Sequence, residues 1–280
     1  MTPVKTFFRS ISALLKQPGA LIVFAIIYAI LLATFFRFIW IREATVWQVL
    51  FTYTFMILIP AEFFIFQAAI IDRAREQKFR WRVIVIDAVK FFMATIPVLL
   101  IAWLLAYLLS KLALRFPAPV VASLPVTQGP PKPAPLHWPS LLFTTLKFVL
   151  WGVAMPLAAI HLWIAIAGGE VKSLFSGGAK SFLSRIGSAL ARAFSSDSVL
   201  IYALGLIIFF VLPYLVLVPT FTIKGNKTEF AVFVLRLLVA AVLGLLGWVV
   251  TVSALTKNAA QAPTVSDSVP IPNAPAEAPA

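Results

Sequence analysis

Long apolar runs alternate with short polar segments along this chain, at 20–40, 46–71, 83–109, 141–167, 199–218 and 230–255. A hydrocarbon core of about 30 Å is crossed by roughly 20 apolar residues in an α-helix. Each run therefore predicts a transmembrane helix, and the chain an all-α, polytopic membrane protein of six spans. Two other segments show a helical period without being apolar throughout. In 2–17, Val4, Phe7, Phe8, Ile11, Leu14 and Leu15 share one face while Lys5, Arg9, Ser12 and Lys16 share the other. In 171–196, Phe175, Ala179, Phe182, Leu183, Ile186, Leu190 and Phe194 line one face, with Lys180, Arg185 and Arg192 opposite or at its edge. Both predict amphipathic helices lying on a membrane surface, their cations toward anionic headgroups.

The segments between the runs differ in kind. DRAREQKFRWR, at 72–82, holds five Lys or Arg, whereas 110–139 contains eight prolines in FPAPVVASLPVTQGPPKPAPLHWP and predicts an extended external loop. The tail 258–280 is rich in Ala and Pro, nearly without aromatics, and predicts disorder. Asp87 and Lys90, three residues apart, are placed to pair. Cytoplasmic loops carry the excess of Lys and Arg, so the basic loop belongs inside. Counting on that basis puts thirteen cations inside, seven outside and three within the runs, with both termini cytoplasmic. The first run lacks a small-residue cleavage site and reads as an uncleaved helix. A threefold plan, each pair of spans preceded by a basic segment, is a further organising idea.

Composition narrows the class. The chain has 280 residues, 61% hydrophobic and 12% charged, against about 45–50% apolar for soluble domains. A formal charge of +13 points to anionic lipid rather than nucleic acid, because the cations flank apolar runs. With no cysteine, disulfides, thiolate metal sites and cysteine nucleophiles are excluded. The two histidines, His137 and His161, make no metal motif, and no phosphate loop or serine elbow is present, so no cofactor is implied.

Candidate chemistry is confined to polar residues inside the runs. Glu62 lies near the middle of the second span, where a carboxylate costs about 2.5–3.5 kcal/mol unless paired, protonated or wet. His161 lies in the inward half of the fourth span, and the two are candidates for a proton relay, an ion site or a structural hydrogen bond between helices. Lys147 and Arg236 sit inside the outer ends of their spans, either snorkelling or forming an external anion-binding pair. Ala240, Gly244, Gly247 and Thr251 make a smooth stripe that predicts a packing face, within the fold or for a partner or second copy. Prolines at 60, 97, 156 and 213 predict kinks and freed carbonyls.

The succession FFRSISALLKQPGALIVFAIIYAILL, DRAREQKFRWRVIVIDAVKFF and SFLSRIGSALARAFSSDSVLIYALGLIIFF resembles, in layout over residues 1–256, the six-helix bacterial membrane domains found beside glycerophosphodiester phosphodiesterases. In that family the catalytic activity belongs to a separate soluble domain, so the resemblance implies a membrane domain without catalysis. The expectation is a non-enzymatic integral protein of a bacterial inner membrane, a scaffold or accessory subunit with a lipid-facing amphipathic collar. The alternative is a small transporter with a polar path at Glu62 and His161. A lipid-directed enzyme would need a cluster of acids or histidines that Asp87 and Glu170 alone do not make.

Overall fold

The computed structural model describes residues 2–41, 45–117, 137–169, 191–218 and 226–261. These hold α1 (Pro3–Leu15), α2 (Pro18–Ile39), α3 (Val46–Glu76), α4 (Trp81–Ala113), α5 (Trp138–Ala167), α6 (Ser196–Leu217) and α7 (Asn226–Gln261). Helices α2 to α7 are each long and apolar enough to cross a membrane, and the chain is an all-α polytopic membrane protein. Of the amphipathic stretch 171–196, residues 171–190, with Lys180 and Arg185, lie outside the described residues, as do most of the Pro-rich loop (118–136) and the tail 262–280.

Helix ends follow local chemistry. Pro3 and Pro18 open α1 and α2 at positions where a missing N–H costs nothing. Thr45 caps α3 in a reciprocal box with Gln48, and Ser195 caps α6 through the Ser198 N–H. Helix α3 runs past the apolar run to Glu76 and stops at Gln77, whose left-handed backbone (φ 61°) turns the chain toward α4. The loop read as 72–82 is therefore mostly helix. The Pro-rich loop is likewise shorter than its sequence limits, because α4 continues to Ala113 and α5 begins at Trp138. Helix α7 reaches Gln261, taking in the first four residues of the stretch expected to be disordered.

The prolines act in two ways. Helices α3 and α4 carry Pro60 and Pro97 without a change of helix type. In α5 and α6 a π turn, Leu150–Ala154 and Ile207–Val211, ends two residues before Pro156 and Pro213. The extra residue in each wide turn shifts the preceding carbonyls away from the proline ring.

Burial is strongly one-sided. The C-terminal halves of α3, α5 and α7 and the N-terminal halves of α4 and α6 meet at one end of the bundle, where Ile70, Ile71, Ile84, Phe91, Ile160, Ile201 and Leu255 are almost wholly covered. At the opposite, open end, Trp47, Tyr53, Ile57, Trp103, Phe210 and Phe233 remain exposed. Length explains the contrast. At 1.5 Å per residue, the 31 and 33 residues of α3 and α4 span about 46 and 50 Å, well beyond a hydrocarbon core of about 30 Å. Inside lipid, apolar side chains gain nothing by leaving one apolar phase for another. Any part of a helix longer than that core gains about 1.5–3 kcal/mol for each apolar side chain removed from water.

Helix α1 belongs to that packed end. The sequence predicts its whole apolar face against the membrane, but Phe7 is 1% exposed in the bundle core, with Ile11 and Leu14 packed beside it, against α6 and α7. Val4, Phe8 and Leu15 stay exposed, as do Lys5, Arg9 and Lys16. One face of three apolar residues is thus claimed by the bundle, and the other three stay exposed.

Candidate functional site

The packed end is tied by polar contacts that its burial makes obligatory, since an unpaired polar group there costs about 1–3 kcal/mol. Asp72, 5% exposed, accepts from the Arg80 backbone N–H (2.9 Å), Arg80 Nε (2.9 Å) and Arg80 Nη2 (2.5 Å). This closes the α3–α4 turn, and the hydrogen bonds that Arg80 donates to Asp72 raise the Arg80 pKa above its ordinary value. Glu76 faces the same guanidinium at 3.5 Å. Arg73 donates to Gln17 Oε1 (2.6 Å) and stacks over Phe79, fastening the α1–α2 junction to the end of α3. Asp87 and Lys90 pair at 2.9 Å, as their spacing predicts.

His161 does not meet Glu62 through a hydrogen bond. Its ring is 6% exposed, with Nδ1 3.0 Å from the Leu157 carbonyl and Nε2 3.1 Å from Ser198 Oγ. A carbonyl only accepts, so Nδ1 carries the proton and Nε2 accepts from the Ser198 hydroxyl. Ser195 Oγ donates in turn to Ser198 Oγ at 3.0 Å. The chain of donors runs from Ser195 through Ser198 and His161 to Leu157 and joins α5 to the start of α6. Glu62 is bound elsewhere: Thr34 of α2 donates to its Oε1 at 3.0 Å, and its Oε2 is buried without a hydrogen-bond partner. Beside His161 on α5, Trp163 packs edge-on to Phe63 and Phe64 of α3 and stacks on Phe91 of α4. Trp163 Nε1 donates to Thr95 Oγ1 at 2.8 Å.

Lys147 and Arg236 are half-buried on α5 and α7 in the open half. The small-residue stripe of α7 lies within the fold. Gly247 packs on the Phe209 backbone, Gly244 on the Tyr28 hydroxyl and Thr251, 0% exposed, on Gly205 of α6; Ala240 is also buried.

Several contributors give little signal in the sequence. Pro156 has no N–H for the carbonyl four residues before it, that of Gly152, and the Tyr202 hydroxyl of α6 donates to this carbonyl at 2.8 Å. Gln67 is 0% exposed and accepts from Trp248 Nε1 at 2.9 Å, pinning α3 to α7. Only the polar tips on Tyr202, Trp163 and Trp248 hint that they need buried partners.

A cleft of about 120 Å³ opens at the packed end between Arg75, His161, Gly168, Arg192 and Thr256. Larger apolar grooves lie between helices nearer the open end, of about 520 Å³ around Pro60 and Thr95 and about 270 Å³ between α4 and α5. Glu62 lines neither. Among the described residues no group of three or more His, Asp or Glu is placed to hold a metal ion. Comparison with protein-family models, with curated proteins and with solved structures finds no match.

Proposed function

We propose that the protein is a non-enzymatic scaffold or accessory subunit of a bacterial inner membrane, with its packed end on the cytoplasmic side and seated on anionic lipid. The observation that carries this reading is the one-sided core. Helix α1 is built into the same end that holds the basic loop, the ends of α3, α5 and α7 and the start of α6. Exposed Lys5, Arg9, Lys16, Arg75 and Arg192 ring that end, where anionic headgroups attract each cation by roughly 1 kcal/mol. Val4, Phe8 and Leu15 lie beside them, free to enter the headgroup boundary. The polar groups within the bundle are tied pairwise, Glu62 to Thr34 and His161 to Ser198, rather than set along one path.

Orientation is directly testable because the chain has no cysteine. Lys78→Cys at the packed end and Phe116→Cys at the open end are labelled with a membrane-impermeant maleimide in right-side-out and inverted vesicles. Labelling of Lys78→Cys only in inverted vesicles, and of Phe116→Cys only in right-side-out ones, is the expected result; the converse overturns the orientation.

A transport role has one observation in its favour, the buried and unpartnered Oε2 of Glu62. Uptake from a broad metabolite mixture into proteoliposomes decides between the two. The scaffold reading expects no uptake by wild type or Glu62→Gln, with both equally stable. Uptake by wild type that Glu62→Gln abolishes replaces it with transport.

A further inference from the structure

The cleft at the packed end is crowded with positive charge and has no described counter-charge. Arg75 projects from the last turn of α3 to within 3.4 Å of where a Cβ on Gly168 would sit, and Arg192 faces the cleft from just before α6. Of the described acids on this end, Asp72 and Glu76 face Arg80 and Asp87 pairs with Lys90, while Asp197, exposed in the first turn of α6, forms no described ion pair and does not line the cleft. Among the described residues neither Arg75 nor Arg192 takes part in an ion pair. Such an arrangement is relieved by an anion placed between the cations.

We propose that this cleft binds a phosphate-group anion gripped by Arg75 and Arg192. The volume, about 120 Å³, holds a group of a few heavy atoms once its water is displaced. Two guanidinium forks arriving from different helices match the several oxygens of a tetrahedral phosphate, whereas a carboxylate is satisfied by one. His161 also lines the cleft, with both ring nitrogens already engaged by the Leu157 carbonyl and the Ser198 hydroxyl. The phosphate belongs either to a lipid headgroup or to a soluble phosphate ester. Phe194, two residues beyond Arg192, lines the apolar groove between α4 and α5 with Ala158 and Leu162, which would take an acyl chain beside the bound headgroup. The lipid source rests on the packed end being seated on lipid; the soluble source does not.

The test uses the full chain in detergent and follows ligand binding by ³¹P NMR line broadening, with glycerol 3-phosphate as the soluble probe and dihexanoyl phosphatidylglycerol as the lipid probe. Dihexanoylglycerol, followed by its effect on tryptophan fluorescence, controls for the acyl chains. Arg75 and Arg192 are both exposed, so Arg75→Gln and Arg192→Gln leave the fold intact, and Lys78→Gln with Arg82→Gln removes equal charge from the same end. Each single variant is expected to weaken binding about tenfold and the double variant to abolish it, with the Lys78/Arg82 pair unchanged. Binding of both probes assigns a soluble phosphate ester; binding of phosphatidylglycerol alone assigns a headgroup. Equal loss in the Lys78/Arg82 control, binding of dihexanoylglycerol as tight as that of phosphatidylglycerol, or no arginine-dependent binding of either probe overturns the proposal. Vesicle labelling at Lys78→Cys reports the orientation independently, so a failed titration leaves that reading standing.

Discussion

Gly247→Ala is the sharpest probe of how α6 and α7 meet. A Cβ built on Gly247 would lie 2.6 Å from the Phe209 amide nitrogen, 2.8 Å from its Cβ and 2.9 Å from its Cα. Two of these atoms are backbone, so no side-chain rotation clears the space and the helices themselves must move apart. Overpacking of this kind costs about 1–3 kcal/mol. Alanine returns about 1 kcal/mol of helix propensity over glycine, so the net loss is at most about 2 kcal/mol. Gly152→Ala supplies the internal control, because its Cβ would meet only the Phe148 ring at 3.7 to 3.9 Å, an ordinary contact. That variant keeps the propensity gain without the clash and is expected to match wild type or exceed it by up to about 1 kcal/mol. Equilibrium unfolding of both in mixed detergent and SDS micelles gives the comparison. A Gly247→Ala protein as stable as Gly152→Ala refutes the argument that backbone approach, rather than composition, sets this interface.

Tyr202→Phe strands the Gly152 carbonyl in an apolar setting and is expected to cost about 1–3 kcal/mol in the same unfolding assay; wild-type stability would mean that Pro156 leaves no orphan there. Asp72→Asn weakens the three-point hold on Arg80, which is 39% exposed and therefore partly screened, so about 1–2 kcal/mol is expected, read as an earlier SDS midpoint. Because the Arg80 pKa is raised, its folded-state contribution is complete at every pH below its ordinary value; stability that falls between pH 7 and pH 9 in wild type but not in Asp72→Asn would contradict this pairing. Ser198→Ala removes the donor to His161 Nε2, and faster amide exchange is expected through the first turn of α6 while α3 is unchanged.

The sequence by itself determined the class of fold and the number of spans, because lipid admits few ways to satisfy a backbone and an apolar run of sufficient length must cross as a helix. It also singled out the Gly244 and Gly247 stripe and the Asp87–Lys90 pair, since both depend only on helical spacing. Where the helices end was less legible. Polar residues at 72–76 look like a loop in a hydropathy pattern, yet they continue α3 because their neighbours Ile70 and Ile71 are fully covered by the rest of the packed end. Only the tertiary structure decided which polar groups meet. Glu62 and His161 sit at similar depth by count, but the faces of their helices direct one to Thr34 and the other to Ser198. Tertiary structure likewise decided that Thr6, Phe7 and Ser10 of α1 turn into the core, and that Arg75 and Arg192, 117 positions apart by their numbers, share a cleft. The physical reason is common to all of these. Periodicity along a helix specifies its faces, whereas the choice of partner for each face depends on the rotation and register of helices far apart in sequence, which no local pattern encodes.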